Sequence, residues 1–193
     1  MHKLLASLSL VCLLSACSTG GATSSRPPQG NPNATVLVEE FADFQCPACR
    51  TAHATVSKPI VAKYGSSIRF EFKHFPLRSI HRFALDAAEM SECAADQGKF
   101  WEFTDLAYEH QEDLSIETLM EWAESLGLDT DRAERCYKSH DKRSIVLADY
   151  KEGRDRGVQG TPTFFVNGQQ VQTGVDTLSA AIDQALKGST MPL

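Results

Sequence analysis

Two cysteines, Cys46 and Cys49, are the residues of this chain with the clearest capacity for chemistry. They enclose Pro47 and Ala48 within the stretch FADFQCPACR. Such a pair could be a structural disulfide, half of a metal site, or a dithiol that exchanges electrons with other proteins. A structural disulfide is a poor explanation, because closing so short a loop removes little chain entropy from the unfolded state.

A metal site is the second interpretation of the pair. Cys46, Cys49 and His53 could face one way from the end of a single helix, and C-x-x-C is a common half of a zinc site. The sequence offers no other cysteine or histidine pair with the spacing of metal ligands. We therefore expect no metal site and no cofactor.

The redox interpretation accounts for more of the local sequence. If a helix begins at Cys46, its unpaired backbone N–H groups and the positive end of its dipole favour the thiolate. A lowered pKa makes Cys46 the attacking sulfur of the dithiol and a good leaving group in the disulfide. Cys49, one turn further along, would be more buried and would resolve the mixed disulfide.

The elements around the pair form a β-α-β pattern. Residues 35–44 (TVLVEEFADF) are β-branched and aromatic-rich, which predicts a buried strand. Residues 46–64 predict a helix that ends at Gly65, with Pro47 tolerated in its first turn. Residues 68–75 alternate apolar and charged side chains, which predicts a second strand, parallel to the first.

A helical block follows these elements, and strand-like sequence returns after it. Ser115 is a plausible N-cap and Gly127 a plausible end of one amphipathic helix, and the aromatic residues of the block are expected in the core. The other predicted helices cover residues 81–97, 99–111, 130–138 and 141–156. A hairpin over residues 163–172 with a turn at Asn167-Gly168, and a helix over residues 176–187, close the chain.

The motifs together resemble those of a known family. The C-x-x-C pair after a strand, the distant Gly160-Thr161-Pro162 and the helical block resemble the DsbA-like thiol–disulfide oxidoreductases of the thioredoxin superfamily, over about residues 34–187. The resemblance implies an α/β thioredoxin fold (βαβ…ββα) with a helical insertion. The core would comprise residues 34–80 and 158–193, and the insertion residues 81–157.

The resemblance also implies roles for individual residues. Pro162 would be a cis proline beside the active pair, and the backbone of Thr161 would bind the substrate chain; alternatively, Pro162 only starts a strand. Glu40 resembles the buried acid that relays a proton to the resolving cysteine, with a pKa raised by burial. The alternative is that Glu40 faces solvent and Glu39 points inward. His53 is expected to be a surface residue.

Two further cysteines, Cys93 and Cys136, fall in the helical block. An even number of cysteines in an exported domain favours disulfides, so we expect a structural bond between them. The alternative is two separate buried thiols that act as small apolar side chains.

The N-terminus predicts export. Residues 1–16 have a lysine, an apolar stretch and small residues, as a signal peptide does. Leu14-Ser15-Ala16-Cys17 resembles the lipobox of bacterial lipoproteins, which implies a lipidated Cys17; an ordinary secretory signal is the alternative. Ser18 in place of aspartate implies the outer membrane. Residues 17–33, rich in Ser, Gly and Pro, predict a disordered tether.

Composition narrows the function further. The formal charge of −6 argues against a nucleic-acid partner. We expect a monomeric, lipid-anchored envelope oxidoreductase that forms disulfides in exported proteins and is reset by a membrane redox partner. Ala48 and Thr161 depart from the strongest oxidants of the family, so a reductase or isomerase remains an alternative. A non-catalytic surface lipoprotein of the same fold is another.

Overall fold

A five-stranded mixed sheet is the centre of the molecule. The structure, a computed structural model, describes residues 23–189. The strand order is β1-β3-β2-β4-β5, with β2 parallel to β3 and the other neighbours antiparallel. The strands are β1 (Gln29–Gly30), β2 (Val36–Ala42), β3 (Ile68–His74), β4 (Thr163–Val166) and β5 (Gln169–Val171).

Helices cover both faces of the sheet and form the block between β3 and β4. They are α1 (Pro47–Ala52), α2 (Lys58–Tyr64), α3 (Ala84–Ala95), α4 (Phe100–Glu109), α5 (Ile116–Ser125), α6 (Thr130–Ser139), α7 (Arg143–Asp155) and α8 (Val175–Ser189). A 3₁₀ turn, Gln111–Asp113, follows α4. The predicted order, βαβ, helices, then ββα, is present. Each predicted helix is found within a few residues of its expected bounds.

The helix that follows β2 is continuous from Pro47 to Tyr64 but contains a π-helical turn, His53–Ser57. The sequence predicts a helix over this range without that turn. Pro59 supplies a physical reason: a proline inside a helix lacks an N–H donor and clashes with the carbonyl four residues earlier. A wider turn before Pro59 accommodates the ring without ending the helix.

A disulfide and a helix cap stabilise the helical block. Cys93 on α3 and Cys136 on α6 are joined by a disulfide with an S–S distance of 2.08 Å. Ser115 caps α5 as expected, and its capping box with Thr118 satisfies two backbone N–H groups. The expected core position of the aromatic residues is found for Phe100, Phe103 and Tyr108, which are all buried.

Rings from the sheet and the helical block share one core. Phe44, just after β2, stacks on Phe72 of β3 with ring centroids 5.2 Å apart. The same ring contacts Phe103 and Tyr108 of α4 at 6.2 Å and 5.4 Å. The residues that precede Cys46 are therefore packed against both halves of the molecule.

The segment before β2 differs from the disordered tether that composition predicts. Ser24 donates a hydrogen bond to Glu92 (2.7 Å), and Arg26 forms ion pairs with Glu92 and Asp149. Strand β1 then pairs with β3. The Glu92 side chain has no exposed surface, and a buried carboxylate requires a partner. The Arg26 guanidinium supplies it, which orders a segment that has few apolar side chains.

Among residues 23–189, no helix combines the length and the apolar character needed to cross a bilayer.

Candidate active site

Cys46 is the residue that begins helix α1. It occupies the N-cap position with an extended backbone, and Pro47 is in the first turn. Its sulfur lies 3.4 Å from the carbonyl oxygen of Thr161. Cys46 is 7% exposed and Cys49 is fully buried, and both are free thiols. The structure therefore places Thr161 beside the two cysteines, although it is 115 residues from Cys46 in the sequence.

The surroundings of Cys46 favour its thiolate. A hydrogen bond from Cys49 lowers the pKa of Cys46 most. Burial opposes this effect, while Thr161 and the backbone N–H groups of Ala48 and Cys49 add to it. The net result lowers the pKa of Cys46 from 9.0 to about 5. At neutral pH this sulfur is ionised and reactive.

Cys49 has the opposite environment. Burial raises its pKa well above 9.0, and the neighbouring Cys46 raises it further. The Asp43 N–H donates to its sulfur at 3.5 Å. Cys49 is therefore a protonated thiol when Cys46 is a thiolate, and its ionisation requires a base nearby.

Thr161 and Pro162 lie beside the pair. The peptide bond between them is cis, as the resemblance implies. Pro162 also lines a groove of about 540 Å³, together with Thr173 and with residues of helix α1 that include Ala48. The backbone next to Cys46 is thus bordered by a cleft that could accept an extended peptide.

Glu40 points into the protein, and it is 1% exposed. It lies on β2 between Phe72 and Phe164 on the neighbouring strands. Burial raises its pKa from 4.5 to about 7, although a hydrogen bond from Ser57 (2.7 Å) partly lowers it. Its Oε1 atom has no hydrogen-bond partner among the described residues. This carboxyl can both hold and release a proton near neutral pH.

Glu39 is also buried. The alternative in which Glu40 faces solvent and only Glu39 points inward is therefore wrong, because both side chains are buried. Glu39 is 5% exposed and forms two hydrogen bonds of 2.8 Å with the Arg156 guanidinium. Because successive side chains of a strand point to opposite faces, Glu39 and Glu40 lie on different sides of the sheet. Only Glu40 is buried without a cationic partner among the contacts that the structure describes.

The turn that carries Cys46 is held by residues that the sequence did not single out. The Asp43 carboxylate accepts hydrogen bonds from the backbone N–H groups of Gln45 (2.7 Å) and Leu77 (2.8 Å), and it lies 2.7 Å from His81 Nδ1. Gln111 donates to two carbonyls of the same turn. Apart from the local contact of Asp43 with Gln45, the partners of these two residues are distant in sequence.

His53 is buried, so the expectation of a surface histidine is wrong. Its Nε2 atom lies 2.6 Å from Asp105, and its ring lies 4.9 Å from that of Tyr108. Burial lowers its pKa, and the contact with Asp105 partly restores it. The Tyr108 hydroxyl is buried without a hydrogen-bond partner among the described residues. The π-helical turn carries both His53 and Ser57, the residue that bonds Glu40.

The remaining predicted residues lie elsewhere. Cys93 and Cys136 are in the helical block, and Cys17 lies outside the described residues. In the part of the chain that the structure describes, no three His, Cys, Asp or Glu side chains are grouped to hold a metal ion.

A family model described as thioredoxin matches residues 23–184 of this chain. Among curated proteins, the chain is 39% identical over 169 residues to a Na⁺/H⁺ antiporter, NhaA 1, of Salinispora arenicola. That match covers 84% of this chain but 25% of the antiporter. The chain therefore spans about a quarter of that relative's length.

Several solved structures share this fold. BdbD from Bacillus subtilis has a TM-score of 0.77 at 23% identity, covering 85% of this chain and 94% of its own. A thioredoxin-like oxidoreductase from Silicibacter pomeroyi has a TM-score of 0.71 at 27% identity, covering 84% and 93%. The thiol–disulfide exchange protein α-DsbA2 from Wolbachia pipientis has a TM-score of 0.70 at 22% identity, covering 86% and 88%.

The comparisons confirm the predicted α/β thioredoxin fold. The family model spans the core, the helical block and the ordered N-terminal segment. This chain belongs to the thioredoxin family, and its fold is that of the DsbA-type thiol–disulfide oxidoreductases.

Proposed function

We propose that this protein is a thiol–disulfide oxidoreductase of the bacterial cell envelope that forms disulfides in exported proteins through Cys46 and Cys49. One observation carries the proposal: two sulfurs one helical turn apart have opposite pKa shifts, and the reactive one faces the Thr161 carbonyl. In such an arrangement one sulfur exchanges with the substrate, and the second, protonated sulfur is available to resolve the mixed disulfide.

The exchange proceeds in two displacements. A substrate thiolate attacks the Cys46 sulfur of the enzyme disulfide, the Cys46–Cys49 bond breaks, and Cys49 leaves and takes up a proton. A second substrate thiolate then attacks the substrate sulfur of the mixed disulfide, and Cys46 leaves as a thiolate. Two electrons pass from the substrate dithiol to the enzyme, whose pair becomes reduced.

Glu40 is proposed to exchange the proton with Cys49. Its pKa of about 7 leaves it partly protonated at neutral pH, so it can donate to the departing Cys49 and accept in the reverse reaction. The unpartnered Oε1 atom supports this role, since a buried carboxyl with a free oxygen is available to a transient partner.

Substrate binding is proposed for the groove beside Pro162. An extended substrate would place its cysteine at Cys46 and form backbone hydrogen bonds with Thr161. The groove wall includes Ala48 and Ala52 of helix α1 and Val56 of the π-helical turn, so its apolar part accepts apolar side chains without demanding one sequence. This suits an enzyme that acts on many unfolded chains.

The direction of exchange is proposed to be oxidation. A thiolate that is stable at neutral pH stabilises the reduced enzyme, which makes the disulfide form an oxidant. Equilibration with a glutathione redox buffer tests this directly. A reduction potential as low as that of cytosolic thioredoxin, about −270 mV, would contradict the oxidase. It would favour the alternative reductase, with which Ala48 and Thr161 are compatible.

Trapping tests the function itself. In Cys49→Ala the mixed disulfide cannot be resolved, so we expect exported proteins to accumulate on Cys46 in cells, visible on non-reducing gels. Cys46→Ala with Cys49→Ala is the matched control and should capture none. If this double variant instead supports envelope disulfide formation as well as the wild type does, the protein is a non-catalytic surface protein.

Location and partners complete the proposal. Residues 1–16 are proposed to be a lipoprotein signal and Cys17 the lipidated residue, with the outer membrane favoured and a monomer as the working form. A membrane redox partner would reoxidise the dithiol. Cys17→Ser should move the mature protein from the membrane fraction to the soluble fraction. Retention in the membrane fraction would contradict the anchor and leave the redox chemistry untouched.

A further inference from the structure

Gln111 connects the helical block to the backbone of the active-site turn. It lies in the 3₁₀ turn after α4, and it is 7% exposed. Its Nε2 atom donates to the carbonyl oxygen of Phe44 at 2.7 Å and to that of Cys46 at 3.0 Å. Both donor positions of one side-chain amide are thus used on two carbonyls that flank Gln45.

The Cys46 carbonyl is the first acceptor of helix α1. It receives the backbone N–H groups of Cys49 at 3.0 Å and Arg50 at 3.2 Å. The Gln111 amide therefore meets the same oxygen that closes the first helical turn. Fixing this oxygen fixes the plane of the Cys46 peptide, and with it the direction of the Cys46 side chain.

The Phe44 carbonyl depends on Gln111 more than the Cys46 carbonyl does, since the latter also accepts from the N–H groups of Cys49 and Arg50. Phe44 is 1% exposed, and its ring is held between Phe72 and Tyr108. Without the Gln111 amide, the Phe44 carbonyl would lose the donor that the structure gives it, and a buried unpaired carbonyl costs about 1–3 kcal/mol. A shift of the turn toward another donor would relieve that cost and displace Cys46.

We propose that Gln111 is a positioning residue, which acts from the helical block to hold the Cys46 peptide at the start of helix α1. Gln111 does not touch the sulfur. It keeps the first turn closed, so that the N–H groups of Ala48 and Cys49 remain directed at the sulfur. The inference rests on the proposed role of Cys46 as the exchanging sulfur, and it assigns the helical block a part in that role.

Gln111→Met is the direct test, because methionine has a similar volume and no donor. The Cys46 thiolate is titrated by its ultraviolet absorbance in the reduced protein, where Cys49 remains protonated. We expect the pKa of Cys46 to rise by about half a unit or more, which is about a threefold change in its ionisation constant. The glutathione equilibrium should shift by a similar factor toward oxidised enzyme.

Gln97→Met is the matched control. The Gln97 side-chain amide also binds backbone groups of another residue. It accepts a hydrogen bond from the Asp129 N–H at 2.9 Å and donates one to the Asp129 carbonyl at 3.3 Å. Its loss removes the same functional group from a link between helical segments that does not touch the active-site turn. The pKa of Cys46 and the glutathione equilibrium should keep their wild-type values in this variant.

An unchanged Cys46 titration in Gln111→Met, with or without a lower melting temperature, would overturn the inference. If Gln111→Met does not fold, Gln111→Asn decides by the same titration, because its shorter amide cannot reach both carbonyls; a wild-type pKa there also overturns it. A wild-type protein whose Cys46 titrates as an ordinary thiol would overturn the proposed function itself, which is a distinguishable result.

Discussion

Cys46 and Cys49 have identical side chains and opposite acid–base behaviour. Cys49 donates a hydrogen bond to Cys46 and so stabilises the neighbouring thiolate, while its own burial keeps it protonated. Cys49 is therefore the main cause of the low pKa of Cys46, whereas burial is the main cause of the raised pKa of Cys49 and Cys46 only adds to it. One consequence is that replacing Cys49 removes both the resolving group and the largest single cause of the low pKa of Cys46.

At the residue scale, Glu40→Gln should slow the exchange by about a hundredfold or more, because a general acid or base contributes roughly 10²–10⁴-fold to a rate. It should also change the pH dependence of stability. Wild-type Glu40 has a pKa of about 7 in the folded state and 4.5 unfolded, so its ionisation disfavours folding as pH rises through this window. The stability of the variant relative to the wild type should increase by up to about 3 kcal/mol between pH 4 and pH 8.

Single-turnover kinetics with a cysteine peptide and urea unfolding at several pH values measure these two effects. Glu71→Gln, on the neighbouring strand β3 with its carboxylate paired to Arg69, is the control and should change neither. An unchanged rate in Glu40→Gln would remove Glu40 from the mechanism, and a flat stability difference would show that the carboxyl is not perturbed.

Local patterns predicted the residues whose role depends on local structure. The C-x-x-C spacing after a strand identified Cys46, whereas Glu40 was identified by the resemblance to the DsbA-like family, with its orientation left open. Gln111 and Asp43 were missed, and His53 was wrongly expected at the surface, because each has contacts with backbone or side chains distant in sequence. Only the helical block brings Gln111 to the turn, and no spacing rule encodes that contact.

At the element scale, the π-helical turn between α1 and α2 determines which side chains face the site. His53 at its start meets Asp105 and Tyr108, and Ser57 at its end donates to Glu40. A wider turn rotates the helix that follows it relative to the helix before it. The helix was predicted from sequence, but the turn was not, although Pro59 was a visible signal for it.

The disulfide between α3 and α6 makes a prediction at the same scale. Cys93→Ala with Cys136→Ala should destabilise the protein by about 4 kcal/mol, because the bond joins positions separated by 43 residues and restricts the unfolded chain. Thermal unfolding of the variant and the wild type, both with Cys46 and Cys49 oxidised, measures the loss.

Either single variant, Cys93→Ala or Cys136→Ala, is a useful comparison, since each breaks the bond and retains one thiol. All three variants should lose a similar amount. A double variant as stable as the wild type, or free thiols at both positions in envelope protein by mass spectrometry, would mean that the bond is not structural.

At the scale of the whole molecule, a buried ionic cluster joins the N-terminal segment to the sheet and the helical block. Burial alone would raise the pKa of Glu92, but the hydrogen bond and charge of His74 and the charge of Arg26 lower it to about 2. Arg26 also pairs with Asp149, which accepts from the His74 backbone N–H at 3.0 Å. Loss of one partner would leave buried charge uncompensated.

Arg26→Gln should therefore destabilise the protein by about 3–5 kcal/mol near neutral pH. Because the folded-state pKa of Glu92 is depressed, its contribution is present above its unfolded value of 4.5 and is lost as pH falls toward 2. The difference between variant and wild type should accordingly shrink over that interval. Urea unfolding at several pH values measures it.

Arg154→Gln, which changes an exposed arginine on α7, is the control and should have little effect. Hydrogen exchange of residues 24–30 should accelerate in Arg26→Gln and stay slow in the control. Equal protection of this segment in both variants would contradict the role of Arg26 in ordering it.

The segment before β2 (residues 24–30, here called the docked segment) is ordered, although its composition predicts disorder. Ser, Gly and Pro predict disorder because such residues bury little apolar surface. Here Arg26 contributes buried ion pairs, alongside the Ser24 hydrogen bond and the pairing of β1 with β3, and its partners Glu92 and Asp149 are 66 and 123 residues away. No window of sequence contains both sides of that pairing. The fold class, by contrast, follows from the order of elements, which is local information.

The docked segment also limits how far the folded domain could lie from a membrane if Cys17 were lipidated. Seven residue steps separate Cys17 from Ser24, which contacts Glu92, and so short a stretch of backbone spans at most about 25 Å. A lipid on Cys17 would therefore confine the catalytic thiol to a thin shell above the bilayer. Polypeptides that emerge at that surface would meet it first, and those deep in the periplasm would lie out of reach.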